Sequence, residues 1–77
     1  MEWKAQLGIN ILRLRTQRGF SQQTLAGNAD LSLRYLAGVE RGEENPSLET
    51  IIAIAFGLNV EPAKLFESQI HFDDQTS

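Results

Sequence analysis

The 77-residue chain contains no cysteine. That excludes a disulfide framework and a thiolate metal site, and it suits a reducing compartment, so a cytoplasmic location is expected. The one histidine, His71, lies in a polar tail with no second histidine near it, so no metal ion is expected. No apolar run approaches the roughly 20 residues that span a bilayer. The opening MEWKAQ lacks the basic and apolar regions of a secretory signal. No glycine-rich phosphate loop follows a strand, and no nucleophile has a base beside it, so neither an enzyme nor a cofactor is expected. Basic charge is also scarce: 7 Lys and Arg stand against 10 Asp and Glu, with a pI near 4.9.

A net charge of −3 argues at first against a nucleic-acid partner, because phosphate neutralisation supplies much of the affinity of most DNA binders. The distribution reverses that inference. Residues 1–42 carry a net +3 and residues 43–77 a net −6, so a basic half is joined to an acidic half that faces away from DNA or toward another protein. At this length one core is barely sufficient, and oligomerisation is expected.

The most informative stretch is Ser21 to Gly42, SQQTLAGNADLSLRYLAGVERG. Leu25, Ala26, Ala29, Leu31, Leu36 and Val39 are spaced so that two short helices cross closely and leave one face of the second polar, a helix-turn-helix arrangement. Ser21 and Ser32 are placed as N-caps of those helices. The spacing predicts a first helix over about 4–18, with Trp3, Leu7, Ile11 and Leu14 as its inward stripe. Gly19 ends it, and Phe20 packs back across the next helix start as a staple. The second helix runs from Gln22 to about Ala29 and the third from about Leu33 to Glu40, with Gly42 as its stop. Ser47 caps a fourth helix whose stripe is Leu48, Ile51, Ile54, Ala55 and Leu58. Pro62 opens a short fifth helix in which Leu65 and Phe66 close the core. A domain over 1–67 and an acidic polar tail over 68–77 are expected.

From Leu7 to Phe66 the chain resembles the phage repressor and Cro type of helix-turn-helix domain, the xenobiotic-response-element superfamily. The residues that carry the resemblance are LGINILRLRTQRGFSQ, LAGNADLSLRYLAGVERG and NPSLETIIAIAFGLNVEPAKLF. It implies an all-α, five-helix, lambda-repressor-like DNA-binding domain. Asp30 departs from the family's usual glycine at a left-handed turn, which Asp tolerates at some cost. The resemblance also implies a structural ion pair between Arg15 and Glu40. Glu43 and Glu44 occupy a loop that is basic in many relatives, which implies weak affinity for a single domain and reliance on dimerisation.

A recognition helix reads base edges with its exposed N-terminal turns, here Ser32, Leu33, Arg34, Ala37 and Gly38, with Tyr35 flanking. Arg34 can donate two hydrogen bonds to guanine O6 and N7, or can serve as a phosphate contact; Leu33 can pack on a thymine methyl. Gln22, beside the Ser21 cap, resembles the family's glutamine that meets a phosphate. Gln23, Tyr35, Arg41 and Asn45 are further phosphate candidates near helix ends. On the fourth helix Ile52, Ala53 and Phe56 form a second apolar set, which together with Ile70 and Phe72 reads as a homodimer interface or as extra core packing. Ile9 and Leu12 have no assigned partner.

The expected function is a sequence-specific transcriptional regulator acting as a homodimer on a two-fold symmetric operator. The short chain with its AGVERG exit resembles controller proteins of restriction-modification systems. A phage-type repressor fits the same motif. An antitoxin that binds a toxin protein through its acidic half and regulates its own operon is the alternative of a different class.

Overall fold

The computed structural model describes residues 2–68. Four α-helices, α1 (Trp3–Gln17), α2 (Gln22–Ala29), α3 (Leu33–Glu40) and α4 (Leu48–Leu58), are followed by a 3₁₀ helix, Pro62–Phe66. Each α-helix opens on a side chain that accepts a hydrogen bond from a backbone N–H one turn in: Glu2 from Ala5 at 2.9 Å, Ser21 from Thr24 at 3.0 Å, Ser32 from Tyr35 at 3.0 Å and Ser47 from Thr50 at 3.1 Å. The expected fifth helix is a 3₁₀ helix instead. It has no side-chain cap and begins at a proline, and so short a segment does not recover the cost of nucleating an α-helix.

The helix ends follow one rule. After each, a residue with φ between 59° and 77° turns the chain left-handed: Gly19, Asp30, Gly42 and Asn59. The next N–H then reaches back to a carbonyl of the last turn, Phe20 to Arg15 at 3.0 Å, Leu31 to Ala26 at 2.8 Å, Glu43 to Gly38 at 2.9 Å and Val60 to Ala55 at 3.0 Å. These bonds satisfy carbonyls that the helix leaves open, and they fix the direction in which the chain leaves.

The core gathers Leu7, Ile11 and Leu14 of α1, Leu25, Ala26 and Ala29 of α2, Leu36 and Val39 of α3, and Ile51, Ile54, Ala55 and Leu58 of α4, with Leu65 as the plug. Three residues assigned to that core lie outside it: Trp3, Leu48, at 68% exposure, and Phe66. Trp3 and Leu48 are the first residues of their helices, where the inward stripe has not yet met a neighbour. On the 3₁₀ helix adjacent side chains diverge by about 120°, so with Leu65 inward Phe66 points to solvent. Asn10 is completely buried; its Nδ2 donates to the carbonyls of Leu65 at 2.9 Å and Glu67 at 2.8 Å, and its Oδ1 accepts from Gln6 at 3.2 Å. A buried amide so placed pins the final segment to α1.

The turn between α2 and α3 sets their angle, and Asp30 holds it at φ 59° and ψ 44°. An L-residue pays a steric cost in that region that glycine does not, although the added freedom of glycine in the unfolded chain offsets part of the gain. Asp30→Gly is expected to stabilise the domain by about 0.5–1 kcal/mol, which in so small a domain raises the midpoint by several degrees. Thermal melting followed by circular dichroism checks this, and a lowered midpoint contradicts it.

Candidate nucleic-acid interface

The prospective reading surface depends on where the end of α3 is held. Arg15 of α1 donates from Nε to Glu40 Oε2 at 2.7 Å and from a terminal nitrogen to Glu40 Oε1 at 3.1 Å, while its other terminal nitrogen donates to the Phe20 carbonyl at 2.9 Å. The side chains of Arg15 and Glu40 are only 13% and 5% exposed. Gln22 joins the cluster, donating from Nε2 to Glu40 Oε1 at 2.8 Å. A planar guanidinium matched to a carboxylate fixes orientation as well as distance. One cluster thus ties the end of α1, the start of α2 and the end of α3.

Gly8 makes the approach possible. A Cβ there would stand 2.6 Å from the Val39 carbonyl oxygen and closer still to that of Glu40. The helix interior carries glycine because α3 passes directly over it. Sequence reading did not single out Gly8 or Asn10. The only signal was their presence, small or polar, within an apolar helix.

The N-terminus of α2 presents the N–H groups of Gln22 and Gln23, which have no carbonyl to reach in their own helix. Ser21 is engaged as the cap, and Gln22 gives one amide hydrogen to Glu40, leaving the other for a second acceptor. Gln23 is exposed. On α3, Ser32 is spent on capping, Leu33 and Arg34 are exposed, Tyr35 is half-buried against the core and Ala37 is half-buried. Gly38 is buried, covered by the side chain of Glu44. Beyond α3, Arg41 and Glu43 form an exposed ion pair at 3.0 Å, and Asn45 is exposed. The hydrogen bond from Arg41, and then its charge, hold the Glu43 carboxyl below the usual range, so the pair is present at neutral pH and weakens as acid titrates Glu43. Ser21, Gln22, Gln23, Leu33, Arg34, Arg41 and Asn45 therefore all border the α2 and α3 starts or the loop after α3.

A helix-turn-helix family model matches residues 11–65. The chain belongs to the helix-turn-helix family of DNA-binding transcriptional regulators, which is not a family of enzymes. The restriction-modification controller protein C.AhdI of Aeromonas hydrophila has a solved structure that superposes with a TM-score of 0.80, at 43% identity over 82% of this chain and 96% of that one. Control protein C.SmaI of Serratia marcescens is 36% identical over 90% of this chain and 82% of its own length. The regulator DdrOP3 of Deinococcus deserti is 39% identical over 83% of this chain, which spans about half the length of that relative. No described helix is long and apolar enough to cross a membrane.

The ion pair yields a prediction about stability. Removing one member of a buried pair strands the other, at roughly 3–5 kcal/mol, against a total of roughly 4–12 kcal/mol at 0.05–0.15 kcal/mol per residue. Glu40→Ala is therefore expected to unfold the domain or to lower its melting midpoint by more than 10 °C, and Glu40→Gln, which keeps acceptor geometry, by less. Differential scanning calorimetry of the three proteins reads this directly. A shift under about 2 °C for Glu40→Ala shows that the pair carries no stability.

Proposed function

We propose that the protein is a homodimeric regulator of a two-fold symmetric operator, acting as the controller of a restriction-modification system. The observation that carries the reading lies on α4. Phe56 is 80% exposed and Ile52, one turn before it, 47%. They border a groove of about 200 Å³ lined by Ile52, Ala55, Phe56, Val60, Glu61 and Pro62. In a two-fold dimer the same patch meets itself, so each Phe56 enters the groove of the other copy, at about 1.5–3 kcal/mol for each phenylalanine buried. Ala53 is half-buried and packs on the core, which places it behind the ridge. Ile70 and Phe72, also assigned to this interface from the sequence, lie outside the described residues.

Similarity to C.AhdI over 96% of that chain supports the controller reading, because a domain of this architecture matches a protein of that printed function over nearly its whole length. Two copies related by a dyad place two α3 helices in successive major grooves, so the operator is an inverted repeat with half-sites about 34 Å apart. Arg34 reads guanine, and the N–H groups at the start of α2 bind phosphate.

Two measurements test the reading. Sedimentation at micromolar concentration is expected to give a dimer that Phe56→Glu converts to monomer; a wild-type monomer, or a dimer that survives the substitution, removes the assigned interface. Selection from random DNA at fixed salt is expected to return a dyad motif. Arg34→Ala then costs roughly 1–3 kcal/mol per half-site and flattens one base pair, whereas an equal loss on all sequences makes Arg34 a backbone contact.

A further inference from the structure

Position 38 of α3 has no side chain, and Glu44 supplies one. A Cβ on Gly38 would stand 2.9 Å from both Cγ and Oε2 of Glu44, and no other residue is as close. The placement is built into the loop. Gly42 turns left-handed at φ 77°, with Ala5 Cα only 3.1 Å from where its Cβ would be, and the Glu43 N–H then bonds the Gly38 carbonyl at 2.9 Å. The chain is folded back along α3, and the buried Pro46 anchors the other side of the loop. Glu44 is held between those two fixed points. Among the described residues its carboxylate enters no hydrogen bond or ion pair, whereas its neighbour Glu43 is paired with Arg41.

Arg34 and Gly38 are four residues apart, on the same strip of α3 and about 6 Å apart along its axis. The carboxylate over Gly38 therefore stands about one helical turn along α3 from the backbone position of Arg34, a separation that serves base pairs one or two steps apart. An ionised carboxylate only accepts. Among base edges in the major groove the donors are the exocyclic amines, cytosine N4 and adenine N6, while guanine O6 and N7 and thymine O4 present acceptors. We propose that Glu44, seated in the space that Gly38 leaves on the recognition helix, is a specificity-determining residue that accepts from the N4 amine of cytosine in each half-site. It also excludes bases that turn an acceptor toward it, and its charge weakens binding to DNA at large by repelling phosphate. The inference rests on the proposed docking of α3 in the major groove and adds to it a second reading position beside that of Arg34.

The test is selection from random DNA at one fixed salt concentration with wild type, Glu44→Ala, Glu44→Gln and Gly38→Ala, each first melted to establish that it folds. Gly38→Ala is the decisive arm. The atoms it meets belong to a flexible side chain and alanine is the better helix former, so the protein folds with Glu44 displaced. The wild-type motif is expected to hold a cytosine preferred roughly five- to hundredfold at one position, next to or one step from the guanine that depends on Arg34. Glu44→Ala and Gly38→Ala flatten that column and leave the Arg34 column intact. Glu44→Gln shifts it toward adenine, whose N6 and N7 an amide can pair. If the wild type selects no motif, the operator reading and this inference fall together. If it selects one and the column survives both Glu44→Ala and Gly38→Ala, or if Glu44→Ala raises affinity equally for every sequence with all columns unchanged, only the role of Glu44 is overturned.

Discussion

The Arg15–Glu40 pair is the constraint on which the geometry of the prospective DNA-binding surface depends. Three of the Arg15 nitrogens and both Glu40 oxygens are engaged, so the guanidinium cannot rotate without losing several bonds at once. Through Phe20 it holds the turn between α1 and α2, through Gln22 the N-terminus of α2, and through Glu40 the C-terminus of α3. The core alone would leave these ends free to fray, because α2 and α3 are eight residues each and too short to be stable as isolated helices. Burying charge there is costly in general, and the paired contact with Glu40, the Phe20 carbonyl and the Gln22 amide together offset that cost. The same carboxylate that stabilises the fold therefore also orients a glutamine amide at the prospective phosphate site.

Capping explains why so little sequence specifies so much structure. Three serines and one glutamate start the helices, and four left-handed residues end them, so each of the four connections leaves in a fixed direction. Two of the left-handed positions are not glycine. Asp30 and Asn59 share nearly identical backbone angles, φ 59° with ψ 44° and 45°, and their short polar side chains are the ones that tolerate this region best. The turn after α2 thus obeys the same local rule as the end of α4, and the absence of glycine at Asp30 alters its cost rather than its shape.

The bounds of α2 and α3 were legible from the sequence, because both carry serine caps and a turn residue after the last helical position. The left-handed turn at Asp30 could likewise be read from its place in the motif. What could not be read was anything that depends on which elements meet. Asn10 falls in α1 like any polar residue, and only the return of the chain at Leu65 and Glu67 makes it a buried anchor 55 residues away. Gly8 looks like a weak point in a helix until α3 is laid across it. Leu48 and Trp3 carry the right periodicity but sit at helix starts, beyond the reach of a neighbour. Periodicity reports which side of a helix is apolar; it does not report how far along that side the partner extends. Among the candidate site residues the exposure of Arg34 follows from helix phase alone. The burial of Gly38 does not, because it comes from a loop residue six positions later.

The charge distribution gains a physical reading from this loop. Among the described residues the chain through Gly42 carries a net +3 and the chain after it a net −4, so the excess of negative charge falls outside α2 and α3, which suits a protein whose overall negative charge must not defeat its approach to phosphate. Glu43 and Glu44 break that segregation, and they do so differently. Glu43 is exposed and paired with Arg41, so the two largely cancel one another and change the local field little. Glu44 is half-buried against α3, without a hydrogen-bonding partner among the described residues, and it meets Arg41 through charge alone. A regulator with few cations gains less from counterion release than a basic one, so under the proposed docking more of the difference between right and wrong sequences falls to base edges. Under the proposed docking, the Glu44 carboxylate laid against α3 works in that direction, because it would subtract affinity on every sequence except those that present it with a donor.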